Sequence, residues 1–195
     1  MQVGITGGIG AGKSLICRIF KILGIPVYDA DSRAKQLMQE SAELRKKIMD
    51  TFGAQSYDAQ GKLNRPYLAK LVFSDGQKVQ ELNALVHPEV GKDFSFWADS
   101  KEHKFPYIIK EAALLIESGS YKQLDFLVAV LAPEDLRIER TLKRDPHRDR
   151  YQIKSIISKQ IGDDQRIKIA DAVLYNDEKK PLIQQILALH QSLVQ

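Results

Sequence analysis

The run Gly7-Gly8-Ile9-Gly10-Ala11-Gly12-Lys13-Ser14 carries the strongest chemical signal in the chain. With Gly7, Gly12, Lys13 and Ser14 at its fixed places, it matches the eight-position phosphate-loop pattern. Ordering glycines this close together costs backbone entropy, so the cluster needs a geometric reason. A phosphate supplies one: with no side chains in the way, successive N–H groups can curl around the anion, and the positive end of the next helix adds favourable potential. Lys13 would then reach the β- and γ-phosphates as a mobile charge, and the Ser14 hydroxyl would ligate Mg²⁺. The plainer alternative is a glycine-rich turn that merely joins a strand to a helix.

Three acids stand where they could complete such a site. Asp29 and Asp31 are separated by one residue in "VYDAD", so in extended geometry both side chains point the same way. Two carboxylates beside a nucleotide can accept a proton from an acceptor hydroxyl or organise Mg²⁺ through water. Either could instead cap a helix. Glu111 ends the apolar run "YIIKE", the usual neighbourhood of a second Mg²⁺-organising acid, although a solvated helix start would read the same way.

Arginines form the third cluster. Arg137, Arg140 and Arg144 recur at i, i+3 and i+7, which puts them on one helix face. Arg148, Arg150 and Arg166 follow in a segment that could close over a nucleotide. Guanidinium forks bind phosphate oxygens in pairs and stay charged, so these groups would neutralise transition-state charge and exclude water. A solvated basic face is the bland alternative.

The elements that must position these groups follow from hydrophobic spacing. "QVGIT" reads as a buried strand and "KSLICRIFKILG" as an amphipathic helix, in the order strand, glycine loop, helix. A short strand through "PVYDAD" follows, then two helical pieces ended by Gly53, a loop or small hairpin around Gly61, and a helix with Pro66 in its first turn. The stretch from Asp75 continues helically, with Pro88 marking a break or a new helical start. Residues 32 to about 103 therefore form a helical lobe without strong strands. "FPYIIKEAALL" begins as a strand and turns helical, and "DFLVAVLA" and "ADAVLYN" are further strands. Helices fill Glu134 to Asp145 and about Arg150 to Ala170, and "PLIQQILALHQSLV" closes on the core. Five strands with helical connections predict an α/β fold with a parallel sheet covered on both faces, its ligand at the carboxyl ends of the strands.

Composition narrows the partners. The 195 residues are 44% hydrophobic and 28% charged, ordinary for a globular chain, and no apolar run approaches membrane-spanning length. No basic-then-apolar leader pattern occurs, so the expected compartment is the cytoplasm, with no membrane partner. The net charge of +4 is dispersed among acids and lacks aromatic interleaving, so a small, highly anionic ligand is expected rather than nucleic acid. Cys17, the single cysteine, lies on the apolar side of the first helix and reads as a buried hydrophobe, and the four histidines are too scattered to mark a metal site.

Taken in order, "TGGIGAGKS", "VYDAD", "LNALVHP", "ALLIESG", "RTLKRD" and "ADAVLYN" resemble the dephospho-coenzyme A kinase family over nearly the whole chain. The resemblance implies a phosphate-loop kinase core at 1–31, 104–144 and 167–195, a helical CoA-substrate lobe at 32–103 and a lid at 145–166. It implies ATP and Mg²⁺, with dephospho-CoA phosphorylated on its ribose 3′-hydroxyl in the last step of coenzyme A synthesis, by a monomer or small homo-oligomer. ATP would lie on Gly8, Ile9, Gly10, Ala11, Gly12, Lys13 and Ser14. Asp31 would be the general base; Lys13 and Arg140 would act on the transferring phosphate, and Arg144 and Arg148 would approach with the lid. Asn176 would contact adenine. Asp29, Arg65, His87 and Glu111 would line the acceptor site, with Ser14 on Mg²⁺ and Glu111 reaching it through water. The family's Asp-x-Pro-Leu-Leu run is replaced here by "KEAALLIES", with Ala113 in the proline's place.

Two other readings share some of these features. A kinase for another small acceptor, such as a nucleoside monophosphate, would use the same loop and lid. A nucleotide switch or nucleic-acid-binding ATPase would share only the loop, and "YNDEKK" does not supply the guanine-reading Asn-Lys-x-Asp.

Overall fold

The computed structural model describes residues 1–73, 76–101 and 103–194; positions 74, 75 and 102 of the expected helical lobe, and position 195, lie outside the described residues. The chain divides into two compact units, Met1–Asp29 with Lys101–Gln195, and Ala30–Ser100.

The first unit is built on five strands: β1 (Gln2–Thr6), β2 (Val27–Asp29), β3 (Ile108–Glu111), β4 (Phe126–Leu131) and β5 (Ala172–Tyr175). They form one parallel sheet in the order β2-β3-β1-β4-β5. The apolar, β-branched strands are buried between helices, as a parallel sheet covered on both faces requires. Val3, Ile5, Ile109, Val128 and Val130 meet Ile16 and Phe20 of α1 (Lys13–Ile22) and Ile186 of α9 (Leu182–Val194) in one core. Register matters most for the site. Ile5 pairs with Glu111, and Glu111 with Asp29, so the ends of β1, β3 and β2 stand level at one rim. Helices α6 (Glu134–Arg144), α7 (Arg150–Ser158) and α8 (Asp163–Ile169) connect β4 to β5.

The second unit is helical: α2 (Ala30–Glu40), α3 (Ala42–Phe52), α4 (Arg65–Phe73) and α5 (Gly76–Asp99). Ser41 caps α3 by accepting from the Leu44 N–H, and Gly53 ends it at a positive φ of 90°. The Arg33 fork binds Asp93 through Nε and Nη2 at 2.8 and 2.7 Å, tying α2 to α5.

Local structure departs from the sequence expectations at four places. Pro88 does not break or start a helix but lies inside α5. The missing N–H is outweighed because Val86, Val90 and Phe94 bury that helix against its neighbours. The expected helix from about 150 to 170 is two helices, divided where Gly162 takes an extended conformation and serves as the N-cap of α8. After Glu111 the chain forms turns and a short 3₁₀ segment, not an α-helix. Finally, the alternation that would put Asp29 and Asp31 on one side ends at Asp29, because α2 begins at Ala30 and Asp31 falls in its first turn.

Candidate functional site

The glycine loop leaves β1 and ends as α1 begins. Gly10 (φ 76°) and Gly12 (φ 97°) occupy left-handed conformations that L side chains rarely adopt. The same glycines make room for neighbours. A Cβ at Gly12 would strike the Asn176 amide, one at Gly10 the Arg137 carbonyl, and one at Gly8 the Arg137 guanidinium. Lys13 Nζ donates to the carbonyls of Gly7 (2.9 Å) and Gly8 (3.4 Å), so its ammonium stays over the loop.

At the rim of the sheet, the Ser14 hydroxyl donates to Glu111 Oε1 at 3.0 Å. Glu111 is buried, which removes the solvated helix start, and its register partner is Asp29. Burial pushes the Glu111 carboxyl above its ordinary range; the Asp29 charge adds to this, while the Ser14 hydrogen bond works against it. Cys17, on α1, is buried against the same carboxylate, and burial pushes its thiol far up, so it is a proton-bearing packing group and no nucleophile. Among the described residues no three His, Cys, Asp or Glu side chains gather to hold a metal. A hydroxyl and two acids still fit Mg²⁺, which binds through few protein oxygens and keeps water and phosphate as its other ligands.

Around the loop, contacts come from residues far along the chain. Asn176, buried at the end of β5, donates through Nδ2 to the Ala11 carbonyl at 2.9 Å. Arg137 Nε donates to the Ile9 carbonyl at 3.0 Å, and the Ile9 N–H donates to Gln160 Oε1 at 2.9 Å. Both backbone groups of Ile9 are thus held by side chains from the α6–α8 segment. Arg137 and Arg166 are both buried. Among the described residues, Arg137 Nη2 and both Nε and Nη2 of Arg166 have no hydrogen-bond partner; Arg166 Nη1 binds Asp163 at 2.7 Å, and Nη2 has only a looser ion pair with Glu117 at 3.7 Å. Burial draws the Arg137 guanidinium below its ordinary range; Asp163 opposes this and the Arg166 charge reinforces it. A buried donor without a partner is costly, so such groups next to a phosphate loop point to an anion as the partner they lack.

The arginines of α6 do not act as one face. Arg137 is buried on the loop, while Arg140 donates through Nη1 to the Asn176 carbonyl (3.1 Å) and through Nη2 to Glu178 (2.9 Å). Arg144 is exposed and bound to Asp145, and Arg148 Nε lies 3.7 Å from the same acid. In the helical unit, Asp31 is exposed in the first turn of α2, Arg65 is exposed as the first residue of α4, and His87 is exposed on α5. Sequence spacing gave no reason to separate Arg137 from its neighbours and no signal at all for Gln160, a lone amide.

Known proteins resemble this chain in sequence and in fold. A family profile described as dephospho-CoA kinase matches residues 1–181. A dephospho-CoA kinase of Bacteroides fragilis is 38% identical over 189 residues, 97% of this chain and 91% of that protein. A solved structure from Thermus thermophilus superposes with a TM-score of 0.81 at 30% identity, covering 99% of this chain and 96% of that one. A dephospho-CoA kinase structure from Campylobacter jejuni gives a TM-score of 0.72 at 23% identity, covering 99% and 96%, and speaks for the fold.

Proposed function

The chain belongs to the dephospho-CoA kinase family, and from that premise we propose that it transfers the γ-phosphoryl group of ATP to the ribose 3′-hydroxyl of dephospho-CoA, completing coenzyme A. The observation that carries the phosphoryl-transfer chemistry is the glycine loop running into Ser14, whose hydroxyl meets the rim acid Glu111.

ATP phosphates lie on the N–H groups of residues 8 to 14, and Lys13 moves from the loop carbonyls to the β- and γ-oxygens. Ser14, Glu111 and Asp29 are the groups that would hold Mg²⁺, which supplies charge neutralisation across those oxygens. The acceptor 3′-oxygen attacks the γ-phosphorus, the bond to the β–γ bridging oxygen breaks, ADP leaves with the electron pair, and Asp31 takes the hydroxyl proton. A loose transition state of this kind asks for positioning and charge more than for covalent help. Arg137 meets that need with its spare Nη2 donor beside Gly8. Arg140 acts with Lys13 on the transferring phosphate, Asn176 contacts the adenine, and Arg144 and Arg148 approach with the 145–166 lid. Arg65 and His87 hold the acceptor. The same reading makes the protein a cytoplasmic monomer or small homo-oligomer with two small-molecule substrates.

The test is ADP release by purified protein with ATP and Mg²⁺, comparing dephospho-CoA, AMP, adenosine and no acceptor, with product mass as the second readout. Release that depends on dephospho-CoA, with one phosphoryl group added, is the expected result. Equal release with every acceptor overturns it.

A further inference from the structure

The helical unit holds a cavity of about 580 Å³ lined by Lys35, Gln39, Lys62, Leu63, Arg65 and Pro66. Three of the six lining residues are cations and none is an acid. Its walls are α2 and the turn that leads into α4, and one side chain joins them. Gln39 donates through Nε2 to the Gly61 carbonyl (2.9 Å) and accepts the Leu63 N–H on Oε1 (2.9 Å). This two-point clamp holds the backbone of the Gly61–Leu63 turn against α2, so the exposed side chains of Lys62 and Arg65 line the same cavity as Lys35, which lies one turn before Gln39 on the same face of α2.

The electrostatics are one-sided. None of Lys35, Lys62 and Arg65 forms an ion pair within 4 Å among the described residues, although salt bridges occur elsewhere in this unit. Arg65 also opens α4, whose first turn carries no acid, so the helix start adds positive potential where the cations already stand. Like charges held around one cavity repel unless an anion enters, and two ammonium groups with one guanidinium suit an anion of several charges.

We propose that this cavity binds the diphosphate of dephospho-CoA, with Lys35 and Lys62 as specificity residues that act on acceptor affinity alone. This rests on the kinase reading above, and it assigns the recognition of the acceptor to the charge of its diphosphate.

The experiment is steady-state phosphoryl transfer by the full chain with dephospho-CoA varied at saturating ATP, for wild type, Lys35→Gln, Lys62→Gln and the double variant. The expected result is a KM for dephospho-CoA raised about tenfold by each single change and about a hundredfold by both, the scale of losing one and two charge-assisted hydrogen bonds. The kcat and the KM for ATP stay within about twofold, and Lys35→Arg with Lys62→Arg restores the acceptor KM. Wild type that fails to phosphorylate dephospho-CoA overturns the kinase reading and this assignment with it. Active wild type with an unchanged acceptor KM in the double variant overturns the cavity assignment alone. A parallel fall in kcat that the arginine replacements do not rescue also overturns it, because charge is then not what the cavity reads.

Discussion

The Ser14 hydroxyl and the Glu111 carboxylate meet at 3.0 Å although 97 positions separate them in the chain. The first belongs to the loop-to-helix junction and the second to the end of β3, and the parallel register of β1 with β3 brings them together. The chemistry of the site follows from that meeting, because a hydroxyl, a buried carboxylate and the neighbouring Asp29 make a rim of oxygens that favours a hard cation.

Glu111 should therefore show itself in the pH dependence of stability. Its carboxyl is raised above the ordinary glutamate value of 4.5 chiefly by burial, so its contribution to stability is fully present below that value and is lost as pH rises through the raised one. Glu111→Gln removes this loss. In metal-free protein the variant should melt higher than wild type at pH 8 and no higher at pH 4, and added Mg²⁺ with ATP should stabilise wild type more than the variant. Equal melting shifts with pH in both proteins would contradict the account of Glu111.

Lys13→Ala and Asp31→Asn should each lower kcat by about 10²- to 10⁴-fold, the range for losing a phosphate-charge partner or a general base. They differ in binding: the lysine change should also weaken ATP, measured by calorimetry, and the aspartate change should not. Near-normal turnover in Asp31→Asn would remove its role as base.

Arg137→Lys keeps the charge but loses the fork and the bond to the Ile9 carbonyl. A fall in kcat of about 10- to 100-fold is expected, because a lysine cannot hold the loop and a phosphate oxygen together. If only the melting temperature falls and kcat is kept, Arg137 is a packing group and the unpartnered Nη2 has no catalytic meaning.

Gly12→Ala tests the loop conformation. A left-handed φ costs an L residue about 1–2 kcal/mol, and the new methyl would also displace the Asn176 amide from Ala11. Urea unfolding should show a loss of at least that size and ATP binding should be lost with it. An unchanged denaturation midpoint would mean that the loop relaxes freely.

Much of this site could be read directly from the residues. The phosphate loop is local by nature, since consecutive backbone N–H groups grip the phosphate, so Gly7 to Ser14 in one run carry the signal by themselves. The strands were equally readable, because a parallel sheet buried on both faces demands unbroken apolar runs. Pro88 and Asp31 were not: burial along α5 overrides a local helix breaker, and a helix that starts at Ala30 cancels the alternation on which pairing Asp29 with Asp31 depended.

From its residues alone, then, this chain declares a phosphate-binding loop, a parallel sheet behind it and an arginine-rich segment, because each is specified by neighbours within a few positions. Only tertiary structure decides that Glu111 rather than Asp31 stands in register beside Asp29, that Arg137 is the α6 arginine buried on the loop, and that Gln39 clamps a cavity of three cations. Those outcomes depend on sheet register, burial and side chains reaching across elements, and none of these leaves a periodic trace in the order of residues.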